Sequence, residues 1–203
     1  THCESSAASD VYKRQGPSAR VMQIAIEKFT LIGATTRLGL LSRPLRDRFG
    51  IPLQLEFYNP ESLKDIIILN SKKLNVKIET NAAFEIAKRS RGTPRIAIRL
   101  LKRILDFSIV QNSEDINMNV VEESLKQMRI DSEGLDEMDR KYLKCISSDY
   151  NGGPVGIETL SAALLEQRDI IEDVIEPYLM QKGLVQRTSR GRILSEKGIN
   201  HIN

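Results

Sequence analysis

The sequence predicts an α/β segment at its start, an all-α middle, and a C-terminal region of three helices followed by a short β-hairpin. Three observations lead to this fold class. Strand-like apolar patterns occur before residue 58 and again after residue 183, and between them apolar residues follow helical spacing. A Ser-Glu-Gly break at residues 132–134 separates two groups of helices. The 203 residues suffice for one large domain or for two to three small ones.

The composition is that of an ordinary globular protein, with 40% hydrophobic and 28% charged residues, which excludes disordered and fibrous classes. No apolar run approaches the ~18 residues that cross a membrane. Cys3 and Cys145 suggest neither a disulfide framework nor a metal site, and His2 and His201 lie at opposite ends. We therefore expect no metal site in these residues, no membrane segment, and a reducing, cytosolic compartment.

Charge is distributed unevenly along the chain. The net charge of +3 is too small to identify a polyanion binder. Residues 88–103, however, hold seven basic residues and no acid, whereas residues 114–139 are strongly acidic. Such asymmetry indicates distinct surfaces or domains.

The first fifteen residues differ from the rest, because they carry no helical or strand period and include a run of small residues. They also lack the apolar core of a signal peptide, so secretion is not expected. We expect residues 1–15 to be an unrelated leader, an artefact of cloning or assembly. The alternative is an ordinary flexible terminus.

Strand patterns follow this leader. A short strand is predicted at residues 19–26 and a buried strand at residues 29–33, followed by a helix at residues 44–49. Apolar and polar residues then alternate over residues 51–57, as in a strand with one buried face. Together these elements predict the end of an α/β sheet.

A small helical bundle is predicted next, because apolar residues recur at helical spacing up to residue 128. Thr80 suits an N-cap, and Gly92 suits the left-handed position that ends a helix. The four predicted helices begin near Asn59, Asn81, Pro94 and Met118.

The last third of the chain has three predicted helices, at residues 136–148, 158–165 and 169–182. Gly183 ends the last helix, and two short strands are predicted on either side of a turn at residues 189–191. Three helices followed by a hairpin is the order of the winged-helix fold. This fold usually binds nucleic acid, although versions that dock on proteins occur.

The segment LRDRFG, residues 45–50, places Arg46 and Arg48 on a short helix at the end of the predicted sheet. A guanidinium keeps its charge, and its fork of donors fits phosphate oxygens. Either residue would suit an arginine finger, which stabilises the charge on a transferring phosphoryl group. The alternative is a surface helix in which Asp47 pairs with its neighbours.

Two further segments suit phosphate recognition. In GTPRIA, Arg95 falls in the first turn of a helix, where free backbone N–H groups already favour an anion. The alternative there is a capped helix with a solvated arginine. In GATTR, Thr35 and Thr36 follow an apolar strand, where α/β sheets bind ligands, and their hydroxyls would position a water or contact a phosphate.

The sequence contains no G-x-x-x-x-G-K-[ST] phosphate loop. The apolar and acidic run at residues 170–173 resembles the end of a Walker B motif, but its helical period makes it a helix face. Neither a hydrolytic triad nor a metal-ligand cluster is visible. These 203 residues are therefore not expected to cradle ATP phosphates by themselves.

The third helix of a winged-helix domain usually enters the DNA groove, yet here it carries Asp169, Glu172, Asp173 and Glu176. DNA phosphates would repel these carboxylates. Contacts to DNA are therefore expected from arginines of the wing and of the helix start, namely Arg168, Arg187, Arg190 and Arg192. They would be backbone contacts without sequence readout. The alternative is a wing with ordinary solvated arginines.

Six segments in order resemble the RuvB family of AAA+ ATPases: FTLIGATTR, PLRDRFGIPLQLEFY, RGTPRIAIRLLKR, GLDEMDRKYL, GGPVGIETLSAAL and IEDVIEPYLMQKGLVQRTSRGR. The resemblance runs from Gly16 to about His201. It implies the C-terminal part of an AAA+ core at residues 16–58, a helical lid at 59–130 and a winged-helix DNA-binding domain at 131–203. It also implies that the chain is truncated at its N-terminus.

The resemblance assigns roles at the nucleotide site. Thr35 and Thr36 resemble the first sensor, and Arg48 resembles the arginine finger that enters the ATP site of a neighbouring subunit. Tyr58 and Arg95 match positions that line the subunit's own nucleotide, with Arg95 as the second sensor.

On the DNA side, Arg187 and Arg192 match DNA-contacting arginines, and Arg168 is a further candidate. The family implies an ATP-hydrolysing helicase that drives branch migration of Holliday junctions, with ATP and Mg²⁺ as cofactors. The implied partners are duplex DNA, a homohexameric ring of this chain, RuvA and RuvC, in the bacterial cytoplasm. Without Walker A and Walker B motifs, these residues alone are expected to be inactive and to lack the Mg²⁺ ligands.

Two departures qualify the resemblance. Family members carry, before the segment GPSAR, a strand that pairs with residues 19–26 in a hairpin that docks on RuvA, and residues 10–15 do not match it. Arg43 stands where small hydroxyl residues are common.

The alternative functional hypotheses are another AAA+ protein that acts on DNA and a freestanding winged-helix regulator. Clamp loaders carry a Ser-Arg-Cys finger motif that is absent from this sequence. Replication initiators read DNA with a less acidic helix, and a regulator would bind DNA sequence-specifically.

Overall fold

The computed structural model describes residues 10–12, 21–23, 29–36, 38–113 and 115–202. These residues fall into two compact units, Thr1–Leu55 and Glu56–Asn203.

The first unit contains a small antiparallel sheet. Strand β1 (Asp10–Tyr12) pairs with β2 (Val21–Gln23), with Asp10 opposite Gln23 and Tyr12 opposite Val21. Strand β1 thus forms within residues 10–15, the segment whose sequence does not match the strand that family members carry there. The pairing uses main-chain N–H and C=O groups, which every non-proline residue carries whatever its side-chain period.

The other two strands predicted in this part of the chain do not form. Residues 29–33 and 51–57 are irregular, and Leu31, Leu53 and Leu55 are 65%, 82% and 92% exposed. A strand needs a neighbour for its backbone hydrogen bonds, and no described residue pairs with either segment. The helical prediction is confirmed as α1 (Arg43–Asp47), which follows a 3₁₀ turn at Leu38–Leu40.

The second unit begins with the predicted four-helix bundle, the lid. Its elements are α2 (Pro60–Lys73), β3 (Lys77–Ile78), α3 (Thr80–Lys88), α4 (Pro94–Val110), β4 (Asp115–Ile116) and α5 (Met118–Gln127). Strands β3 and β4 pair in parallel. The Asn59 side chain caps α2 as predicted, accepting from the Ser62 N–H at 2.8 Å. Thr80, by contrast, is the first residue of α3, and Glu79 precedes it without a side-chain cap.

The lid has its own apolar core. Its fully buried large side chains are Leu63, Ile67, Ile86, Leu101, Ile104, Ile116 and Leu125. Leu63 and Ile67 in α2, and Leu101 and Ile104 in α4, follow four- and three-residue spacing, which is why the sequence pattern predicted the bundle.

The winged-helix region follows with its three helices and hairpin. Helix α6 (Glu137–Lys144) continues as a π turn (Cys145–Asp149), and α7 is Ile157–Leu164. The third helix is continuous through α8 (Arg168–Ile170), a π turn (Ile171–Ile175) and α9 (Glu176–Gln181). Strands β5 (Val185–Thr188) and β6 (Gly191–Leu194) form the hairpin, and α10 (Glu196–Ile202) closes the described chain. We call the hairpin β5–β6 the wing.

A second apolar core lies under these elements. Its largest fully buried members are Leu135, Tyr142, Leu143, Ile146 and Leu160. No helix among the described residues has the length and apolar character needed to span a bilayer.

Val155 forms a single antiparallel bridge with Arg192, which ties the segment before α7 to the wing. Gly191 makes this close approach possible, because its φ is 138° and a Cβ there would overlap the Val155 carbonyl. We expect Gly191→Ala to lower the free energy of unfolding by roughly 2–4 kcal/mol, from clash and backbone strain together. Chemical denaturation monitored by circular dichroism measures this change.

Gly156→Ala is the matched control. Gly156 has a φ of −74°, and a Cβ there would meet only the Thr159 hydroxyl at 3.9 Å. A change within about 1 kcal/mol is expected for it. Equal effects of the two substitutions would contradict the steric argument at Gly191.

Candidate functional site

The wing is joined to the third helix by a buried carboxylate. Glu176 is fully buried and accepts a hydrogen bond from the Tyr142 hydroxyl at 3.0 Å. Arg192 donates to it from Nε at 2.7 Å, and Arg187 donates to it from Nε at 3.1 Å and also from Nη2. Two wing arginines therefore converge on one acidic residue of the third helix.

A second carboxylate extends the network outward. Glu172 accepts from Arg192 Nη2 at 2.8 Å and from Arg168 Nε at 3.1 Å, and it lies 3.9 Å from Arg187. Arg168 also reaches Glu158 at 3.3 Å. The hydrogen bond from Arg168, first of all, keeps the pKa of the Glu172 carboxyl below its ordinary value, so Glu172 stays charged at neutral pH.

Burial sets the electrostatics of the inner part of this network. Desolvation and then the neighbouring Glu176 charge raise the pKa of the Tyr142 hydroxyl, which therefore stays a donor. Desolvation alone would lower the pKa of Arg192, but its hydrogen bonds to Glu176 and Glu172 outweigh this and raise it. Arg192 therefore stays charged, and the hydrogen bonds that it donates in this network are charge-assisted.

The four arginines predicted to contact DNA are placed differently. Arg192 is 7% exposed, and its guanidinium donates hydrogen bonds to the carboxylates of Glu172 and Glu176. Arg187 and Arg168 keep about half of their side-chain surface, 44% and 54%. Arg190, at the tip of the wing, is exposed, and its side chain makes no ion pair with the residues that the structure describes.

Two features of this arrangement differ from the sequence pattern. Arg192 is buried, and its ion pairs join the wing to the third helix. Glu172 and Glu176 of the acidic third helix are paired with arginines of the same region, which offset their charge.

The nucleotide-facing candidates of the lid lie at the start of α4. Arg95 is its second residue and is exposed, the first turn contains no acidic residue, and Arg95 makes no ion pair among the described residues. It lines a shallow groove of about 560 Å³ with Arg99, Lys102 and Arg103. The helix N-terminus and the cationic rim together suit an anion.

Tyr58 lies beside the turn that leads into α4. Its backbone N–H donates to the Gly92 carbonyl at 2.8 Å, and its side chain is about half exposed. Tyr58 lines a different cavity, of about 170 Å³, together with Arg91, Gly92, Tyr178 and Lys182. The lid therefore brings Tyr58 next to the Arg95 turn but not into the same groove.

The remaining candidates lie in the first unit. Arg48 follows the last residue of α1 and is exposed, as is Arg46, and neither makes an ion pair with a described residue. Asp47 pairs instead with Arg43, at 4.0 Å on the surface. Both Arg46 and Arg48 thus remain available, and the structure does not choose between them.

Thr35 and Thr36 are also exposed and lie outside any strand. Their expected position at the end of a sheet strand is not realised, for the same reason that residues 29–33 form no strand. Among the described residues, no group of three His, Cys, Asp or Glu side chains is arranged to hold a metal ion. The described residues therefore do not fit a Mg²⁺ site. The Arg95 guanidinium, on the first turn of α4, fits an anionic group such as phosphate.

One constellation escaped sequence reasoning. Arg91, on the lid, donates from Nε to the Gly134 carbonyl at 3.0 Å and from Nη2 to Asp136 at 3.2 Å and to Asp139. Its guanidinium also lies over the Tyr178 ring, 5.0 Å from the centroid. We call these residues, Arg91, Gly134, Asp136, Asp139 and Tyr178, the Arg91 junction.

Asp139 is the buried member of the junction, 1% exposed. Desolvation raises the pKa of its carboxyl to about 6, although Arg91 acts in the opposite direction. It also accepts from the Asp136 N–H at 2.9 Å, while Asp136 caps α6 in return. The cap of α6 and the Arg91 contact therefore share one carboxylate.

Comparison with protein families gives three adjoining matches. Residues 5–55 match the Holliday junction DNA helicase RuvB P-loop domain, residues 58–131 the RuvB AAA lid domain, and residues 132–203 the RuvB C-terminal winged helix domain. The first match includes residues 5–15, and the assignment of residues 1–15 to an unrelated leader stays a prediction.

Curated relatives agree with these matches. The chain is 57% identical over 194 residues to the Holliday junction branch migration complex subunit RuvB of Orientia tsutsugamushi (strain Boryong), covering 96% of this chain and 60% of the relative. It is 53% identical over 193 residues to the subunit of that name from Rickettsia africae (strain ESF-5), covering 95% and 56%. The chain thus spans less than two thirds of the length of these relatives.

Solved structures match as well. The Thermotoga maritima RuvB Holliday junction branch migration motor is similar with a TM-score of 0.81 and 53% identity, over 87% of this chain and 59% of that one. Its P216G variant gives a TM-score of 0.82 over 90% and 61%. The lid and winged-helix assignments are confirmed by these matches.

Proposed function

This chain belongs to the RuvB family, and we propose that it forms part of an ATP-dependent motor that moves duplex DNA and drives branch migration of Holliday junctions. The winged-helix region is the part that would meet DNA. The alternative hypotheses, a clamp loader, an initiator or a freestanding regulator, are not favoured, because RuvB domain models match residues 5–55, 58–131 and 132–203.

The observation that carries the DNA role is the set of arginines held by Glu172 and Glu176. Arg168 and Arg187 are anchored on one side by carboxylates and keep about half of their surface in solvent, and Arg190 extends beyond them. An arginine held in this way loses less side-chain freedom when it binds a phosphate. We assign Arg168, Arg187 and Arg190 to backbone phosphates, and Arg192 to keeping the wing in place.

We further propose that the lid and the first unit serve ATP hydrolysis. Arg95 would hold phosphate oxygens at the start of α4, and Tyr58 would line the nucleotide beside it. Arg48 would stabilise the transferring phosphoryl group in a neighbouring copy, and Thr35 and Thr36 would sense it. ATP, when bound, supplies the phosphoryl transfer; no described residue is assigned to Mg²⁺.

A finger that acts on a neighbour requires an assembly of copies. We therefore propose a homohexameric ring on duplex DNA, with RuvA and RuvC as partners, in the bacterial cytoplasm. The family names of the relatives, branch migration complex subunit and branch migration motor, support this proposal.

DNA binding by the purified chain tests the proposal directly. We expect it to bind duplexes of unrelated sequence with equal affinity, because phosphate contacts carry no base information. A plot of log K against log salt should be linear with a slope of about −3, since three arginines would each displace a counterion. Fluorescence anisotropy with labelled duplexes measures both quantities.

Strong preference for one duplex sequence would instead support the freestanding regulator. Binding that does not change with salt concentration would contradict the proposed phosphate contacts. A labelled four-way junction included in the same titration shows whether binding extends to branched DNA.

A further inference from the structure

The Arg91 junction links two regions that have separate apolar cores. It lies alongside two other contacts between these regions, the ion pair of Arg129 with Glu137 at 2.7 Å and the hydrogen bond that Arg140 donates to the Arg129 carbonyl at 2.6 Å. The lid core and the winged-helix core have no buried member in common. Arg91 belongs to the lid by position, between α3 and α4, but all four groups that it contacts in the junction belong to the winged-helix region. Its side chain is only 14% exposed.

The contacts use the geometry that distinguishes arginine from lysine. Nε and Nη2 donate in different directions, to a backbone carbonyl and to two carboxylates, while the flat face of the guanidinium stacks on Tyr178. Lys182 lies over the same ring, 5.8 Å from its centroid, and pairs with Glu133 at 2.8 Å. Arg91 is therefore held in one orientation from several sides.

The backbone at Arg91 is unusual as well. Its φ is 53°, in the left-handed region that a residue with a Cβ adopts rarely, and Gly92 follows with a φ of 69°. These two residues open the turn that leads through Thr93 into α4, whose second residue is Arg95. The same turn thus carries Arg95, which would hold phosphate, and Arg91, which contacts the winged-helix region.

We propose that Arg91 is a positioning residue that fastens the Gly92–Arg95 turn to the winged-helix region, so that the lid and the winged helix move as one body. Its functional meaning rests on the proposed motor: a displacement of the lid on the nucleotide would carry the wing, and the DNA on it, along. Arg91 does not itself touch nucleotide or DNA in this scheme.

Spin labels test this rigidity without nucleotide or DNA. Cysteines are introduced at Lys72 on the lid and Asn200 on α10, both exposed, in a chain in which Cys3 and Cys145 are replaced by alanine. Pulsed dipolar electron paramagnetic resonance should give one narrow distance distribution. Arg91→Gln should broaden it or split it, because a neutral amide cannot hold Asp139 and Tyr178 together.

Three further variants make the test specific. Arg91→Lys, which keeps a charge for Asp139 but loses the fork, should give an intermediate width. Asp139→Asn combined with Arg91→Gln should broaden the distribution no more than the single changes do, because both remove one interaction. Arg103→Gln is the control, since Arg103 is an exposed lid arginine paired with Asp106 at 3.3 Å, and it should leave the width unchanged.

A narrow distribution in a folded Arg91→Gln protein would overturn the proposal. If Arg91→Gln or Asp139→Asn prevents folding, as judged by circular dichroism, the width in Arg91→Lys decides in the same way. DNA affinity of Arg91→Gln should stay unchanged, because the wing is intact. A wild-type chain that shows a narrow distribution yet binds no DNA would refute the proposed function and leave the role of Arg91 standing.

Discussion

Glu176→Gln is expected to lower the free energy of unfolding by about 3–5 kcal/mol, the range seen when one partner of a buried ion pair is removed. Glu176 is fully buried and serves three donors, on Tyr142, Arg187 and Arg192. Glutamine keeps the shape but loses the charge, so the Arg192 guanidinium would remain buried with Glu172 as its one charged partner. Urea denaturation of the two proteins measures the difference.

Glu166→Gln provides the matched control. Glu166 is in the same region, and its side chain makes no hydrogen bond or ion pair with a described residue. We expect its stability to stay within about 0.5 kcal/mol of the wild type. A loss below about 1 kcal/mol for Glu176→Gln would show that the neighbouring groups rearrange and that the buried carboxylate does not hold the wing.

The second large effect concerns DNA. Replacing both Arg187 and Arg190 by alanine should weaken DNA binding about tenfold or more and reduce the magnitude of the salt slope by about 2, one for each lost phosphate contact. Because Arg187 is half exposed, Arg190 is exposed, and Arg192 still pairs with Glu176, the fold should survive. Fluorescence anisotropy at several salt concentrations measures both effects.

A double change on the lid, Lys72→Ala with Arg103→Ala, removes the same net charge away from the wing. If it weakens binding as much as the wing variant does, binding depends on overall charge and not on the wing. Arg192→Ala behaves differently in this scheme, since it should reduce DNA binding only together with the stability of the region. An Arg192→Ala protein of wild-type stability that no longer binds DNA would show that Arg192 contacts DNA directly.

The helices could be predicted because the interactions that form them are close in sequence. Helices α2 and α4 bury apolar faces inside one small bundle, and the structure confirms their starts at Pro60 and Pro94. The strand patterns at residues 29–33 and 51–57 are just as regular, yet they specify a strand only where other strands pair with them and a second layer covers them. Residue pattern alone does not show whether those neighbours are present.

The candidate site was predictable in composition but not in pairing. The sequence shows arginines on the wing and carboxylates on the third helix, and the carboxylates suggested a helix face that DNA phosphates would repel. Folding brings Glu176 within hydrogen-bond distance of Arg192, sixteen positions later, so acids that looked like an obstacle orient the arginines. Arg91 has no signal at all in the sequence, since nothing distinguishes it from Arg89 two positions earlier.

The exposed leucines at residues 31, 53 and 55 affect how the protein behaves at high concentration. Exposed apolar side chains of this size on irregular backbone favour self-association. Pro52 and Glu56 interrupt the second of these segments and act as gatekeepers against fibril growth. Purified stocks should therefore cluster reversibly as they are concentrated and disperse again on dilution, without seeding amyloid.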